Sequence, residues 1–335
     1  MAIQSISIKN VMAFGCQSPD ADKNNMDGAF QLSFSDGINV IIGENGSGKT
    51  SLLKMIYAFT HESSNILHKT SHLDNYFSNN ARFSDFLNHS SKFSAIKVES
   101  DDGWVVFCLS DKELTISHYD KQPIPAVFIP TTEMLSHSKG FLALNQKYQM
   151  PFDKTQVDVI VNASLPEARE IPGYMQAILK KVSTVIDGEV ILEEDEFYVL
   201  KKDGRKLCFS LEAEGLRKLG LLWKLIRNGL LEPGTILLWD EPEANLNPEL
   251  FPLVAEILLE LQKNGIQIFV ATHSYNFAKY LEIRRTEMEQ VQFHNLYHSD
   301  QPGVIESSSA YRMEDLHYNH IMMADNKLLD EIYDL

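Results

Sequence analysis

The sequence predicts an α/β protein with a mostly parallel core sheet, an antiparallel β arm and a helical lid insertion. Two observations predict its parallel core. An apolar run at residues 38–42 ends in a glycine and leads into an apolar helix. A second apolar strand at 235–239 is followed by a helix at 248–263 and a third strand at 266–270. Strands that alternate with helices are typical of a parallel sheet covered by helices.

The other elements follow the chain in order. Residues 3–9 alternate as an opening strand, and residues 95–120 contain three strands with turns between them, which we interpret as the antiparallel arm. Residues 133–187 carry helical stretches interrupted by prolines and form the predicted lid insertion. Residues 189–209 predict a hairpin that turns at 202–204, and residues 275–335 are expected to form a C-terminal tail. We expect one domain over residues 1–335.

Composition limits the class of protein. The chain has 335 residues, 44% of them hydrophobic, and a formal net charge of −16. Its length allows one large core or two small ones, and it has no run of the roughly 20 apolar residues that a membrane span needs. We therefore expect a cytoplasmic protein without membrane association. The three cysteines are widely spaced, which argues against a disulfide framework or a thiolate zinc site. The acidic charge disfavours broad attraction to nucleic acid, although a local basic patch stays open.

The first motif that carries chemistry is Gly43-Glu-Asn-Gly-Ser-Gly-Lys-Thr50, which fits the phosphate-loop pattern G-x-x-x-x-G-K-[ST]. Its glycines let backbone N–H groups turn towards phosphate oxygens, and the helix that follows favours anions. Lys49 is predicted to reach the terminal phosphates as a catalytic residue, and Thr50 to offer its hydroxyl to Mg²⁺. The predicted cofactors are ATP and Mg²⁺, and the contacts expected from this segment are Gly43, Asn45, Gly46, Ser47, Gly48, Lys49, Thr50 and Ser51.

Two further strands end in polar residues. The strand at 235–239 delivers Asp240 and Glu241 to the carboxyl edge of the sheet, where ligands of open α/β folds bind. Asp240 is predicted to hold Mg²⁺, and Glu241 to accept a proton from the water that attacks the γ-phosphate. The strand at 266–270 presents His273 as a γ-phosphate sensor. His294 and His298 share helical spacing but lack a third ligand, so they predict no metal site.

These residues together resemble the ABC-type ATPase domain of the SMC, RecF and OLD group of P-loop NTPases. The resemblance is greater to the compact branch found in bacterial phage-defence ATPases. It covers most of the chain, and its marks are Lys9-Asn10, the phosphate loop, Ile129-Pro-Thr-Thr-Glu133, Ala213-Glu-Gly215, Trp239-Asp-Glu-Pro-Glu-Ala-Asn-Leu-Asn-Pro248 and Ala271-Thr-His-Ser274. The block that follows Asp240 is the strongest mark.

The resemblance implies a homodimer with ATP between the subunits. In the family, a signature segment reaches the partner's ATP and a D-loop lines the dimer seam. Here the signature contains Gly215, and Asn245 to Pro248, which include Asn247, match the D-loop. The signature reads Leu211-Glu-Ala-Glu-Gly215, so Ala213 lacks the family's hydroxyl, and Ser210 is an alternative donor. A glutamine is missing at the usual metal-contacting loop. Glu133 is our candidate there, with a simple loop acid as the alternative.

The resemblance also implies a function for the chain. The leading hypothesis is an ATP-hydrolysing dimeric switch that regulates or scaffolds a separate effector protein in anti-phage defence. The 62 residues after His273 are too few for the nuclease domain that OLD proteins carry, so we expect cutting or killing to belong to the effector. The alternatives are a DNA-repair ATPase of RecF or SMC-head type that clamps DNA, the motor subunit of a transporter, and a nucleotide-binding scaffold that does not hydrolyse.

Overall fold

The computed structural model describes residues 2–15, 26, 28–62, 73–77, 93–110, 114–119, 124–148, 150–287, 289–300 and 303–333. The strands are β1 Ile3–Lys9, β2 Phe30–Ser33, β3 Ile38–Gly43, β4 Phe93–Ser100, β5 Gly103–Ser110, β6 Leu114–Tyr119, β7 Ala126–Ile129, β8 Gly188–Glu193, β9 Glu196–Lys201, β10 Lys206–Cys208, β11 Ile236–Asp240, β12 Gln267–Ala271, β13 Val291–His298 and β14 Ile305–Ala310. The α-helices are α1 Lys49–Glu62, α2 Phe141–Tyr148, α3 Lys154–Ser164, α4 Gly173–Val185, α5 Glu214–Arg227, α6 Phe251–Lys263, α7 Tyr275–Arg284 and α8 His320–Tyr333.

A six-stranded sheet forms the centre of the fold, in the order β14-β13-β3-β12-β11-β7. Its neighbours are parallel except for β14, which is antiparallel to β13. Every residue of β3, β11 and β12 is buried. Continuous apolar strands of this kind are typical of a parallel sheet covered on both faces. The predicted α/β fold with a mostly parallel core sheet is therefore confirmed.

The two faces of the central sheet bury different cores, because side chains of a strand alternate between its faces. Leu237 and Trp239 of β11 join the core formed with helices α2 to α7. Ile236 and Leu238 join the core formed with helix α1 and the antiparallel strands. Both cores stabilise β11, which is the strand that carries Asp240.

The strands predicted as an arm belong to a larger antiparallel sheet. This sheet has the order β2-β1-β4-β5-β6, and Ile6 of β1 lies opposite Leu32 on one side and Val98 on the other. The buried side-chain amide of Gln267 ties it to β12, because it accepts from the Ile3 N–H at 2.8 Å and donates to the Ile3 carbonyl at 2.9 Å. The antiparallel strands therefore pack on the core.

The segment at 189–209 forms three strands where the sequence predicted one hairpin. The turn at 202–204 is present, and a second tight turn at Glu194 and Asp195 separates β8 from β9. Both turn residues have positive φ angles, 49° and 61°. Because neither residue is a glycine, the composition gave no clear sign of this turn.

The C-terminal segment contributes directly to the central sheet. Strand β13 is parallel to β3, with His294 opposite Ile41, and β14 extends the sheet beyond it. The helical spacing of His294 and His298 therefore falls on a strand. Helix α8 follows and is largely exposed, with apolar side chains such as Leu328 in contact with solvent.

Two further features concern membrane-spanning helices and the cysteines. In the described part of the chain, no helix is long and apolar enough to cross a membrane. Within the described residues, Cys108 and Cys208 are half-buried thiols that form no disulfide, and Cys16 lies outside the described residues.

Candidate functional site

The predicted motifs meet at one edge of the central sheet. Strands β3, β12 and β11 are adjacent and parallel, with Ile41 opposite Ala271, which is itself opposite Asp240. The phosphate loop follows β3, Glu241 follows β11 and His273 follows β12. Because parallel strands end at a common edge, three segments distant in sequence form a single site.

The phosphate loop adopts a backbone that its glycines permit. Gly46 and Gly48 have φ angles of 80° and 90°, which non-glycine residues rarely adopt. A Cβ atom on Gly46 would face open space, whereas one on Gly48 would lie 2.5 Å from the Phe14 ring. The buried hydroxyl of Ser47 has no hydrogen-bond partner among the described residues. Asn45 and Thr50 are exposed at the mouth of this loop, and Ser51 is half-buried.

Lys49 is folded over the phosphate loop. Its ammonium donates to the carbonyl oxygens of Gly43 and Glu44, at 2.8 Å each, and only 8% of the residue is exposed. Burial lowers the pKa of Lys49, while the nearby carboxylates of Glu241 and Asp240 oppose that shift. The ammonium is therefore held inside the loop, next to the acidic end of β11.

Two hydroxyl groups meet the Asp240 carboxylate. Thr50 donates to its Oδ2 atom at 2.9 Å, and Thr131 donates to the same oxygen at 2.8 Å. Asp240 is 4% exposed, and burial raises its pKa despite both hydrogen bonds. The hydroxyl of Thr50 and the carboxylate of Asp240 are oxygen ligands of the type that Mg²⁺ prefers.

Glu241 and His273 are in contact. The Nδ1 atom of His273 lies 3.1 Å from Oε1 of Glu241, and the two side chains are 50% and 25% exposed. Glu241 has a φ angle of 49°, in the left-handed region. The structure thus brings the predicted base and the predicted sensor together on the open side of the sheet edge.

The buried acid Glu243 fastens the two loops that carry this pair. Its carboxylate accepts a hydrogen bond from the hydroxyl of Thr272, which in turn accepts from the backbone N–H of Ser274 at 3.0 Å. Burial raises the pKa of Glu243, and its Oε2 atom has no partner within the described residues. The loop after β11 is therefore tied to the loop after β12.

The two segments expected to face a partner subunit lie side by side. A Cβ atom on Gly215 would lie 2.4 Å from the carbonyl oxygen of Asn245 in the same chain, so glycine is needed for this packing. Asn247 is exposed, and its side chain accepts from the backbone N–H of Glu249 at 3.2 Å, which caps the helical turn that begins at Pro248. Ala213 is exposed beside them. Ala213 and Asn247 are thus exposed near the buried Gly215.

Glu133, the predicted metal contact, is buried and already has several partners. Its carboxylate accepts from the backbone N–H groups of Leu135 and Ser136, and it lies 3.3 Å from the Arg217 guanidinium. Thr131, two residues earlier, is the residue of this loop that hydrogen-bonds Asp240. Glu133 thus joins its loop to helix α5, and its role towards a metal stays a prediction.

The histidines on β13 differ from each other. His294 is fully buried between Ser309 and Asn39, whereas His298 is exposed. Within the described residues, no group of three or more histidine, cysteine or acidic side chains is arranged to hold a metal ion by itself.

Sequence reasoning missed two residues at the sheet edge. Thr131 was quoted within a motif but given no role, although it follows β7, the neighbour of β11 in the sheet. That position after a strand end is the signal that could have found it. Lys218 was also missed, because a lysine on an amphipathic helix is expected in solvent. Its ammonium is buried and donates to the Glu241 carbonyl at 2.9 Å.

The site residues fit a nucleotide with its metal ion. The loop offers an open backbone at Gly46, a buried hydroxyl at Ser47 without a partner, and the ammonium of Lys49. Thr50 and Asp240 supply oxygen ligands for Mg²⁺ next to this loop. Such an arrangement satisfies both the charge and the hydrogen-bonding needs of a metal-bound triphosphate.

Helix α8 borders the same loop. A cleft of about 540 Å³ lies between the phosphate loop, His273, Tyr275 and helix α8. At its edge, the Nδ1 atom of His320 lies 3.2 Å from Oε1 of Glu44. The C-terminal helix is therefore within reach of the mouth of the site.

Two family models match this chain. The model described as "AAA domain, putative AbiEii toxin, Type IV TA system" matches residues 110–278, which is half of the chain. A second model, described as "AAA domain", matches residues 5–142. Together they span both the phosphate loop and the acidic strand β11.

Curated relatives match shorter stretches. The DNA replication and repair protein RecF of Streptococcus uberis is 28% identical over 159 residues, covering 47% of this chain and 43% of RecF. The L-cystine import ATP-binding protein TcyN of Bacillus subtilis is 27% identical over 146 residues, covering 36% of this chain and 55% of TcyN. The chain thus spans about half the length of these relatives.

Solved structures match nearly the whole chain. An SMC head bound to the C-terminal winged-helix domain of ScpA is 15% identical, with a TM-score of 0.59, and the match covers 92% of this chain and 98% of that one. A Pyrococcus furiosus SMC head, bound to the C-terminal domain of ScpA, gives a TM-score of 0.55 at 13% identity, with 99% of each chain covered. At such identities the similarity shows a shared fold.

Proposed function

Because this chain belongs to the AAA domain family of P-loop ATPases, we propose that it binds ATP with Mg²⁺ and hydrolyses it. One observation carries the proposal. The predicted base Glu241 lies directly after Asp240, whose carboxylate accepts from Thr50 of the phosphate loop at 2.9 Å. The end of β11 and the phosphate loop are therefore close enough to contact the same metal-bound phosphate group.

Each residue has a separate task in the proposed reaction. The phosphate-loop N–H groups and Lys49 stabilise the negative charge that develops on the phosphate oxygens. Thr50 and Asp240 would hold the metal ion, which would neutralise charge on the same oxygens. Glu241 orients the attacking water and takes its proton, and His273 donates a hydrogen bond towards the γ-phosphate.

We propose that the active form is a homodimer with two equivalent ATP sites. The phosphate loop, Asp240 and Glu241 are one half of a site, and the segment Ala213–Gly215 with Asn247 is the other half. A two-fold axis would place each half of a site next to the complementary half of the partner subunit. ATP that binds only the closed dimer stabilises it by mass action.

This cycle of closure and hydrolysis is suited to a switch. The resemblance to phage-defence ATPases favours a separate effector protein as the regulated partner, and the matching SMC heads bind a separate protein, ScpA. A ligand that prefers one of two conformations shifts their populations, which transmits the nucleotide state to the effector. We therefore propose an ATP-controlled regulator or scaffold of an effector in anti-phage defence.

A second function is favoured by the RecF match. A dimer that clamps DNA would need a basic surface, whereas this chain carries a net charge of −16. The two functions predict different results for one measurement. This is the affinity of the Glu241→Gln protein for duplex DNA at about 150 mM salt, with and without ATP and Mg²⁺. ATP-dependent DNA binding supports the clamp, and its absence supports the protein-directed switch.

Phosphate release with wild-type protein and Glu241→Gln tests the hydrolytic proposal. We expect the variant to bind ATP with affinity within about threefold of wild type and to lose at least about 100-fold in kcat, as for loss of a general base. Glu189→Gln, a change at an exposed glutamate on β8, serves as the matched control and should keep wild-type turnover. Wild-type turnover in Glu241→Gln would assign the base elsewhere, with Glu243 or His273 next to be tested.

A further inference from the structure

Helix α5 buries a lysine directly beneath the acidic end of β11. Lys218 is 1% exposed, and its ammonium donates to the carbonyl oxygen of Glu241 at 2.9 Å. A buried ammonium is costly unless it is hydrogen-bonded and near opposite charge. Here desolvation lowers the pKa of Lys218, and the carboxylates of Glu243 and Glu241 are the strongest charges that oppose this shift.

The backbone of Glu241, whose carbonyl oxygen accepts from Lys218, has a strained conformation. Glu241 has a φ angle of 49°, in the left-handed region that is unfavourable for residues with a Cβ atom. Such a conformation persists only where surrounding contacts fix it. The N–H of Glu241 donates to the Ala271 carbonyl at 2.8 Å, and its own carbonyl accepts from Lys218 and from the N–H of Ala244 at 3.1 Å.

This backbone sets the direction of the Glu241 side chain. With the backbone fixed on both sides, the carboxylate lies on the open side of the sheet edge, 3.1 Å from His273. The buried Glu243 and Thr272 hold the neighbouring loop in place through their hydrogen bond. The ammonium of Lys218 adds a connection from helix α5, whose first turn contains Gly215.

We propose that Lys218 is a positioning residue that fixes the backbone of Glu241 and couples the signature end of helix α5 to the orientation of the catalytic carboxylate. The inference rests on the proposed function, since it assumes that Glu241 is the base. A shift of helix α5 moves the ammonium, and the Glu241 turn moves with it. Closure of a partner subunit against the start of helix α5 would in this way align the base.

The test uses Lys218→Met in the full chain. Methionine keeps an unbranched side chain of similar length without the charge, and the Glu241 carbonyl retains its second donor from Ala244. We expect KM for ATP to stay within about twofold and kcat to fall by about 10- to 100-fold, because small misplacements of a catalytic group have effects of this size. Lys218→Arg, which restores a charged donor, should recover part of the lost kcat.

A second buried lysine on the same helix provides the matched control. Lys224 is 3% exposed and pairs with Glu167 at 3.0 Å, away from the acidic strand end. Lys224→Met removes a comparable buried charge and should leave kcat unchanged. Thermal unfolding of each variant reports its folding, and Lys218→Gln replaces the methionine variant if that protein does not fold.

The double variant, Lys218→Met with Glu241→Gln, distinguishes a positioning role of Lys218 from a general loss of structure. If Lys218 acts through Glu241, then Lys218→Met added to Glu241→Gln causes no further loss of kcat. An equal loss in both backgrounds, or a Lys218→Met protein as active as Lys224→Met, would overturn the inference while Glu241 remains the base. Wild-type turnover in Glu241→Gln would instead overturn the proposed function, and the inference with it.

Discussion

The hydroxyl of Thr50 donates to the carboxylate of Asp240 at 2.9 Å, although 190 residues separate the two in the chain. The contact joins the first turn of helix α1 to the end of β11. Thr131 donates to the same carboxylate oxygen from a third segment. The magnesium ligands predicted from the sequence are therefore adjacent in the fold.

Replacing Asp240 by asparagine should weaken the response to Mg²⁺. The amide keeps the size of the side chain but removes the negative charge, so we expect the Mg²⁺ concentration for half-maximal turnover to rise at least about tenfold. Thr131→Val is the comparison. It removes one hydrogen bond, worth about 1 kcal/mol, and leaves the charge in place. An unchanged Mg²⁺ midpoint in Asp240→Asn would show that the metal is held elsewhere.

Lys49→Ala should weaken nucleotide binding by at least about 30-fold. Lys49 and the loop N–H groups provide the donors next to the predicted phosphate position, and loss of a charge-assisted contact in a largely buried site costs at least about 2 kcal/mol. Titration of a fluorescent ATP analogue measures this loss. Lys54→Ala, on the same helix, breaks an ion pair with Asp153 at 2.7 Å and should keep the affinity. Equal affinity in wild type and Lys49→Ala would mean that the site is misassigned.

The sequence predicted the sheet edge because its signals are local. Each motif follows an apolar strand directly, so the positions of Asp240, Glu241 and His273 at strand ends were predictable. The carboxyl edge then follows from the parallel arrangement. The contacts that hold the edge together were not predictable. Thr131 and Thr272 act through hydrogen bonds between loops that are distant in sequence.

Long-range pairing explains the other differences. Strand β4 pairs with β1 across about 90 residues, with Val98 opposite Ile6, and no local pattern specifies that partner. The spacing of His294 and His298 matched a helix, but the surrounding apolar residues belong to a strand buried beside β3. Lys218 is buried because helix α5 packs on the acidic loop, and its charge alone predicted exposure.

Changes at Gly215 should act first on the subunit itself. A Cβ atom there would lie 2.4 Å from the carbonyl oxygen of Asn245, so Gly215→Ala forces backbone shifts that cost about 1–3 kcal/mol. Denaturant unfolding without nucleotide measures this cost. A variant as stable as wild type would contradict the packing. Loss of dimers in a Gly215 variant would thus be ambiguous.

Ala213 is the better position for testing assembly, because it is exposed next to the same surface. Ala213→Trp in the Glu241→Gln background should leave the monomer stable and prevent the rise in particle mass on addition of ATP and Mg²⁺. Thr184→Trp, at an exposed position of helix α4, is the control and should still dimerise. If the Ala213 variant closes like its control, the two-site dimer is wrong for this chain.

The buried His294 should make the fold sensitive to acid. Its Nδ1 atom lies 2.8 Å from the Ser309 hydroxyl and its Nε2 atom 3.2 Å from Oδ1 of Asn39, so the neutral ring with a proton on Nε2 satisfies both partners. Full burial lowers the pKa of His294 to about 3. The unfolded chain takes up a proton near pH 6.5, and the folded chain does so only near pH 3. The stability that this difference provides is present above about pH 6.5 and is lost as the pH falls towards 3.

Between about pH 6.5 and pH 3, each unit of acidification should lower the free energy of unfolding by about 1.4 kcal/mol through His294 alone. Between pH 7.5 and 5.0, wild type should therefore lose about 2 kcal/mol more than His294→Gln, whose side chain does not titrate. Urea unfolding at both pH values measures the difference. His298→Gln, at the exposed end of the same strand, should follow wild type. If His294→Gln loses as much stability as wild type on acidification, the acid sensitivity arises from other groups and the buried neutral histidine is not its source.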